Sequence, residues 1–360
     1  MSAKDQAKIE ENRLTAARKG EHIRICLQEQ VNGVGITTGF ERYRFRHAAL
    51  PQISFDQISL SATFLNKPLQ APLLVSSMTG GTEEAAAINR RLAEAAEARG
   101  WAMGLGSMRA AIEREELAAT FHIRKEAPTI PIVANLGAVQ LNYGYGVDEC
   151  RRAVELSEAD ALVLHLNSMQ EVFQTEGDTD FRRLLERIEQ VCRQLEVPVG
   201  VKEVGWGMDG ETAAMLTRAG AAFIDVAGAG GTSWSQVEKF RTSDPLRRQA
   251  AEAFTDWGIP TADSIVDVRS HCPEAYVIAS GGLRSGVDVA KAIALGANLA
   301  GVGRLLLPNA AALGDIHETD SDLDAQLHQQ FAKIEFELRT AMFGVGAGTI
   351  AELAATSRLV

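Results

Sequence analysis

"ALVLHLNSMQE", residues 161–171, begins as an apolar run and then presents four side chains that can bind a ligand: His165, Asn167, Gln170 and Glu171. Its hydrophobicity is nearly continuous, which is typical of a strand covered on both faces in a parallel sheet. A strand that served only the core would end in turn residues such as Gly or Pro. The stretch therefore predicts a buried strand that opens onto a site.

Seven further apolar runs repeat this design. The eight predicted strands span 72–78, 102–107, 130–136, 161–167, 197–204, 223–228, 276–282 and 299–304. Helical patterns lie between them, for example at 83–100, which Gly100 closes, at 180–195, and at 285–297, which Ser285 caps. Alternating strands and helices imply right-handed βαβ units. Eight such units predict an α/β fold, the closed (β/α)8 TIM barrel.

The rest of the chain is predicted to pack on this barrel as parts of one domain. Residues 1–70 form an N-terminal arm and lead-in, and 71–304 form the barrel. The long interval at about 229–275 predicts an insertion after the sixth strand. Residues 305–360 continue as a C-terminal helical segment, an appendage to the barrel.

Composition narrows the class of protein. With 46% hydrophobic and 23% charged residues the chain can bury an ordinary core, and its formal net charge of −11 argues against a nucleic-acid partner. No apolar run approaches the roughly 20 residues that span a bilayer, and the charged N-terminus has no signal-peptide core. The four cysteines are isolated from one another. A cytoplasmic protein with reduced thiols, and no membrane partner, is expected.

Two glycine-rich turns predict where a phosphate binds. Active sites of these barrels lie at the carboxyl ends of the strands, and phosphate often binds after strands seven and eight. Here those turns read "SGGLRSG" (280–286) and "AGVGR" (300–304). Glycine lets backbone N–H groups approach a phosphate closely, although plain tight turns would look the same. "GAGGTSW" (228–234) fails the dinucleotide spacing because Ser233 replaces the last glycine.

Charged residues at the strand ends suggest an anionic ligand and a cation. Lys202 lies in an apolar strand, where it can form a Schiff base, neutralise an anionic cofactor or pair with a buried carboxylate. Strand alternation sends Glu203 to the opposite side, so a functional role is favoured over that pair. Glu171 near phosphates suggests Mg²⁺, while a solvated residue in the first turn of a helix fits equally well.

Other polar and aromatic residues leave two interpretations open. His165 can be a satisfied core histidine, and Trp234 can be core or can cover a cationic or apolar substrate. Arg18, Lys19 and His22 in the N-terminal arm form either a solvated face or an anion clamp.

A set of motifs then resembles a known family. These are, in order, "RKGEHI", "SSMTGG", "GLGSMR", "VANLGAVQ", "HLN..QE", "KEVGWG", "GAGGTSW" and "SGGLRSG". Together they resemble the type 2, flavin-dependent isopentenyl-diphosphate isomerases, from about residue 13 to about residue 350. The resemblance implies a (β/α)8 barrel that binds FMN and Mg²⁺ and uses NADPH or NADH as flavin reductant. It implies interconversion of isopentenyl and dimethylallyl diphosphate by a homo-oligomer, a tetramer or octamer.

The resemblance also implies roles for individual residues. FMN contacts are expected from Ser77, Met78, Thr79, Ser107, Asn135, Lys202 and Thr232, and phosphate contacts from Gly281, Gly282, Arg284, Ala300 and Gly301. The isoprenyl diphosphate is expected to meet Arg18, Lys19, His22, Ser107, Arg109, His165, Asn167 and Gln170, and Glu171 is expected to ligate Mg²⁺.

No strong acid–base pair stands out in the sequence at the barrel mouth, and the resemblance implies that reduced FMN itself transfers the protons. Gln170, His165 and Trp234 are the expected catalytic side chains: Gln170 orients or relays, and Trp234 stabilises positive charge. Thr175 departs from the family pattern, where Pro is expected.

Two other functions are compatible with such a barrel. An FMN-dependent oxidoreductase acting on a hydroxy acid would resemble others of its type in a His-and-Arg motif near strand six, and here that loop reads "AGAGGTSW". Oxidoreductases acting on nucleotides use a loop cysteine, which is missing at that point of the sequence. The third alternative is a non-catalytic barrel that binds phosphate.

Overall fold

A computed structural model describes residues 20–311 and 320–360. Within it, eight parallel strands close into a barrel in the order β3-β4-β5-β6-β7-β8-β9-β10, and β10 pairs with β3. The strands are β1 Ala62–Phe64, β2 Lys67–Leu69, β3 Leu73–Val75, β4 Ala102–Gly104, β5 Ile132–Gly137, β6 Ala161–His165, β7 Val199–Lys202, β8 Phe223–Asp225, β9 Val277–Ala279 and β10 Leu299–Val302. Each predicted strand overlaps one barrel strand, so the predicted TIM barrel is confirmed.

Helices follow the strands and form the outer layer. They are α1 at 20–28, α2 Glu83–Arg99, α3 Arg109–Glu113, α4 Val147–Ser157, α5 Ser168–Phe173, α6 Leu184–Gln194, α7 Gly210–Arg218, α8 Trp234–Arg241, α9 Pro245–Ala250, α10 Thr261–His271, α11 Gly286–Ala294, α12 Leu307–Ala310, α13 Asp320–Val345 and α14 Ile350–Ala354. Short 3-10 helices span Phe40–Arg42, Phe55–Gln57, Glu115–Phe121, Ala138–Asn142 and Ala251–Phe254.

Local signals in the sequence fix several helix ends. Ser285 accepts a hydrogen bond from the Asp288 amide at 3.2 Å and caps α11, as predicted. Gly100 ends α2 in the left-handed region at φ 62°, which glycine adopts without strain. Helix α6 begins four residues later than the pattern indicates, because Arg183 is also left-handed, at φ 56°.

An antiparallel hairpin of β1 and β2 closes the amino-terminal mouth of the barrel. Its Phe64 packs against Phe223 and Tyr276, with ring centroids 5.2 Å away in both cases. The Tyr276 hydroxyl donates to the Thr63 carbonyl at 2.8 Å. Burying a side chain such as Phe64 contributes about 1.5–3 kcal/mol. The hairpin was not predicted, and it leaves only the carboxyl-terminal mouth open for a ligand.

The segments around the barrel add to its outer layer. Helix α13 packs against α11 and α2, and the rings of Phe331 and Trp101 lie 4.2 Å apart there. The connection after β8 carries α8, α9 and the Ala251–Phe254 turn before α10, which packs beside α7. Within 20–311 and 320–360, no helix is both long and apolar enough to cross a membrane.

Candidate active site at the carboxyl-terminal mouth

One cavity of about 580 Å³ opens at the carboxyl ends of the strands. All eight barrel strands or the loops that follow them contribute to its wall. The contributing residues include Ser76, Gly106, Gly137, His165, Lys202, Ala227, Ser280 and Gly303. The polar side chains that the sequence scatters over some 200 positions therefore meet around one space.

Most of the residues predicted for the site line this cavity. They are His22, Ser77, Met78, Thr79, Ser107, Arg109, Asn135, His165, Asn167, Gln170, Glu171, Lys202, Thr232, Trp234, Gly281, Gly282, Arg284 and Gly301. Ala300 lies elsewhere, because its side chain is fully buried in the core cluster between strands and helices. Arg18 and Lys19 fall outside the residues that the structure describes.

The turn after β9 can only be built from glycine. Gly281 has φ 105°, and a Cβ there would lie 2.2 Å from the Gly228 carbonyl oxygen. The next residue, Gly282, has φ 75°. In the neighbouring strand β10, a Cβ at Gly301 would lie 2.6 Å from Ser76 Oγ. That hydroxyl is buried and has no hydrogen-bond partner among the described residues. These features fit a small anion such as the phosphate of FMN.

Two guanidinium groups flank the same turn. Arg284 and Arg304 both line the cavity. Arg304 donates to the Cys26 carbonyl at 2.9 Å and to Asn32 Oδ1 at 2.6 Å, which ties the N-terminal segment to the cavity. Desolvation lowers the pKa of Arg304, the Cys26 thiol opposes this, and the nearby charge of Arg284 lowers it further. An anion between the two cations would relieve their repulsion.

Lys202 provides a buried cation at the carboxyl end of β7. In the β7–β8 register it lies beside Asp225, and its ammonium donates to the Glu203 carbonyl at 2.5 Å. Burial raises the pKa of the Asp225 carboxyl, while Lys202 and a 2.6 Å hydrogen bond from Ser280 act against it. The ammonium fits the anionic ring system of a reduced flavin, which would balance its charge.

Glu203, next to Lys202, holds the loop after β7. Its Oε2 accepts three backbone N–H groups, from Val204, Gly205 and Trp206, at 2.6 to 2.7 Å. Desolvation raises the pKa of Glu203 to about 7, and these three hydrogen bonds act in the opposite sense. Val204 and Gly205 line the cavity, so Glu203 fixes a part of its wall.

The wall built by β6 can hold a diphosphate and a cation. Asn135 donates to the Leu105 carbonyl at 3.1 Å, so its oxygen, 2.7 Å from His165 Nδ1, is the acceptor and Nδ1 carries the proton. Asn167 donates to Glu171 Oε1 at 2.6 Å, and its own Oδ1 is buried without a partner among the described residues. One carboxylate and one amide oxygen suit Mg²⁺ that takes its other ligands from a diphosphate and water.

In the two described ranges, no group of three or more His, Cys, Asp or Glu residues could hold a metal ion by itself. A cation at Glu171 would therefore need ligands from the substrate, which agrees with the way Mg²⁺ binds in phosphate sites.

Glu238, which was not predicted, is the centre of a buried network. Its Oε1 accepts from Gln170 Nε2 and from His22 Nε2, both at 3.1 Å, and its Oε2 accepts from Arg241 Nε at 2.7 Å. Burial raises its pKa, but the hydrogen bonds and charges of His22 and Arg241 prevail and lower it to about 2. The carboxylate is therefore ionised, and the His22 nitrogen donates to it. Trp234 lies one helical turn before Glu238 on α8, with its ring 5.3 Å from that of His22.

A second unpredicted carboxylate, Asp178, joins two residues of the wall. It accepts from Arg109 Nη1 at 3.0 Å and from Gln140 Nε2 at 2.9 Å. Glu113 accepts from the Nε of the same arginine at 2.7 Å. Desolvation alone would lower the pKa of Arg109, but its pKa is raised by the two carboxylates. Arg109 is thus a charged and oriented donor at the cavity.

Comparison with known proteins identifies the family of the chain. The model of the FMN-dependent dehydrogenase family matches residues 144–359. An isopentenyl-diphosphate delta-isomerase of Oceanobacillus iheyensis is 54% identical over 342 residues, 95% of each chain. Proteins of the same name from a Synechococcus species and Rickettsia akari are 50% and 47% identical, over 93% and 95% of this chain and 94% and 96% of theirs.

A solved structure of mandelate oxidase with (S)-2-phenylpropionate covers 97% of both chains, with a TM-score of 0.63. At 19% identity, this likeness shows the fold alone. The curated relatives show more, and they confirm the family that the motifs predict. The chain belongs to the isopentenyl-diphosphate delta-isomerase family.

Proposed function

We propose that this enzyme interconverts isopentenyl diphosphate and dimethylallyl diphosphate, with FMN in its reduced form and Mg²⁺ as cofactors. NADPH is the proposed source of electrons for the flavin. We also propose a cytoplasmic homo-oligomer, a tetramer or octamer, as the working form. The identity to the named isomerases supports the reaction, and the chemistry of the cavity wall supports the cofactors.

The FMN would occupy the side of the cavity formed by β7 to β10. Gly281, Gly282, Arg284 and Gly301 would hold its phosphate, and Lys202 would lie against its ring system. Bound and reduced, FMN would supply N5 as a group that exchanges a proton with the substrate. Ser77, Met78, Thr79, Ser107, Asn135 and Thr232 complete the proposed contacts.

The diphosphate would bind on the β6 side. Arg109 and Asn167 provide donors there, His165 would add an Nε2–H donor when its ring carries both protons, and Glu171 would ligate Mg²⁺ together with phosphate oxygens. Arg109 is held by two carboxylates and His165 by Asn135, so both side chains are oriented before the substrate arrives. Orientation of this kind lowers the entropic part of the barrier.

Gln170, Glu238 and His22 would control the proton and the charge near the alkene. Moving the double bond needs a proton added at one carbon and another removed from a second carbon. The hydrogen bond to Glu238 fixes the Gln170 amide, and the ionised Glu238 lies buried behind it. Trp234 presents an aromatic ring, which would stabilise positive charge on the alkene carbons by cation–π attraction.

The observation that carries the proposal is that one cavity combines the glycine-rich turns after β9 and β10 with Gln170 and Glu171, in a chain 54% identical to a named isomerase over 95% of its length. The buried Glu238 holds Gln170 from behind the cavity wall. The test is an anaerobic assay of isopentenyl diphosphate with the dithionite-reduced holoenzyme and Mg²⁺, with the product measured by chromatography. Dimethylallyl diphosphate is expected, with no net change of the flavin absorbance. Steady aerobic turnover of the flavin with a 2-hydroxy acid, and no isomerisation, would favour the oxidoreductase alternative. A colourless protein that cannot be reconstituted with FMN would favour the non-catalytic barrel.

A further inference from the structure

The segment at 174–180 lies against the wall that is proposed to bind the metal and the diphosphate. At Gly177 it runs so close to α5 that a Cβ would lie 1.8 Å from the Glu171 carbonyl oxygen. One residue later, the Asp178 amide donates to Glu171 Oε2 at 2.7 Å. The proposed metal ligand therefore has one of its two carboxylate oxygens held by the backbone of this segment.

The side chain of Asp178 reaches in another direction. Its Oδ2 accepts from both Arg109 and Gln140, which also line the cavity. The Asp178 and Arg109 side chains are 19% and 29% exposed, so water screens their ion pair only in part. Asp178 thus contacts Glu171, the proposed metal ligand, through its backbone amide. Through its carboxylate it contacts Arg109, the cation that is proposed to bind the diphosphate.

Two carboxylates of this cluster, Glu113 and Asp178, accept from Arg109, and a third, Glu171, accepts from the Asp178 amide. The negative charge of Glu171 repels a diphosphate, and a divalent cation bound at Glu171 would attract it. Binding of the cation and binding of the anion should therefore assist each other.

We infer that Asp178 is a positioning residue that couples Mg²⁺ binding at Glu171 to diphosphate binding at Arg109. This inference rests on the proposed function, because it assumes a metal and a diphosphate in this cavity. Asp178 touches neither of them: it sets the geometry of the two residues that do. Gly177 is part of the device, since no other residue lets the segment lie on the Glu171 backbone.

Inorganic pyrophosphate and Mg²⁺ are the probes. Calorimetry on the FMN-loaded full-length protein gives the pyrophosphate Kd with and without Mg²⁺, and the ratio of the two is the coupling. Coupling between two ligands is commonly about 5- to 150-fold and is reciprocal. Asp178→Asn keeps the backbone amide and the shape, and is expected to reduce the coupling about fivefold or more. Gly177→Ala is expected to reduce it as well.

Glu113→Gln is the matched control. It also removes a carboxylate from Arg109, but Glu113 binds Arg109 along α3 and not through the 174–180 segment, so the pyrophosphate Kd should change by the same factor with and without Mg²⁺. The flavin spectrum and the thermal unfolding curve show whether each variant is folded. If Gly177→Ala does not fold, Asp178→Asn decides alone.

An unchanged coupling in folded Asp178→Asn would overturn the inference, as would an equal loss of coupling in Glu113→Gln. Failure of the proposed function gives a different result. The wild-type protein would then couple Mg²⁺ and pyrophosphate, and lose the coupling in Asp178→Asn, but would not isomerise isopentenyl diphosphate.

Discussion

Gln170 and Glu238 are joined by a buried hydrogen bond of 3.1 Å between the amide Nε2 and the carboxylate Oε1. The bond connects the helix after β6 with the first helix of the segment inserted after β8. Sixty-eight positions separate the two residues in the chain. This contact places a buried, ionised carboxylate directly behind Gln170, which lines the cavity.

The carboxylate of Glu238 should matter to turnover rather than to cofactor binding. Glu238→Gln removes the charge that fixes Gln170 and His22, and we expect kcat to fall about 10²-fold, the usual size of a proton-transfer contribution. KM and the FMN Kd should change little. The exposed Glu252→Gln in the same insertion is the control. Steady-state assays in which Glu238→Gln keeps a kcat close to that of the control would contradict this role.

Lys202 should hold the flavin. Its ammonium is buried beside the cavity, so Lys202→Met takes away the charge that an anionic ring system needs. Losing one partner of a buried charge pair costs about 2–5 kcal/mol, and we expect the FMN Kd to rise on the order of 10²-fold. Fluorescence titration with FMN measures this change. Lys239→Met, whose ammonium pairs with Glu252, should bind FMN like the wild type, and an equal loss in both variants would argue against a specific contact.

Gly281 should be irreplaceable, whereas Gly144 should not be. Both have a positive φ, 105° and 95°, but a Cβ would meet the Gly228 backbone at Gly281 and nothing within 4 Å at Gly144. Gly144→Ala should therefore cost only the strain of the left-handed region, about 1–2 kcal/mol. Gly281→Ala should cost more and should also abolish FMN binding. Urea unfolding measures the stability of the two variants, and flavin titration measures their FMN binding. Similar losses in both variants would refute a phosphate site built by the glycine turn after β9.

Glu203 should make stability depend on pH. Its pKa is about 7 in the folded protein, because desolvation outweighs its hydrogen bonds, against an ordinary value of 4.5. Between these two pH values Glu203 is ionised in the unfolded chain but still protonated in the folded protein. The contribution of Glu203 to the free energy of unfolding therefore falls as the pH rises from about 4.5 to about 7.

Glu203→Gln removes this titration and can still accept the three backbone N–H groups. The free energy of unfolding, measured in urea at several pH values, should decline less over this window than in the wild type. Glu252→Gln again serves as the control. A wild-type slope retained in Glu203→Gln would show that Glu203 does not titrate there.

Much of the barrel could be predicted because its strands carry their own signal. Runs such as Ala161–His165 are apolar on both faces, and capping residues such as Ser285 mark helix ends locally. The β1–β2 hairpin lacked such a signal. Each of its strands has only three residues, and its turn uses Leu65 and Asn66 at positive φ rather than a glycine.

The site divides in the same way. Residues at strand ends, such as Lys202 and His165, could be predicted from their place in the fold. Glu238 and Asp178 could not, because their partners are distant in the chain: His22 lies 216 positions from Glu238, and Arg109 lies 69 positions from Asp178. The spacing of Trp234 and Glu238 on one helical face was the available signal for Glu238.

The central claim is that this one cavity binds reduced FMN and an isoprenyl diphosphate together and moves protons between them without net oxidation. The most direct measurement is NMR of isopentenyl diphosphate incubated in deuterated water with the reduced holoenzyme and Mg²⁺. The account predicts deuterium in the substrate and in newly formed dimethylallyl diphosphate, while the flavin stays reduced. Unlabelled isopentenyl diphosphate as the only species recovered, from an enzyme whose spectrum shows bound reduced FMN, would contradict it.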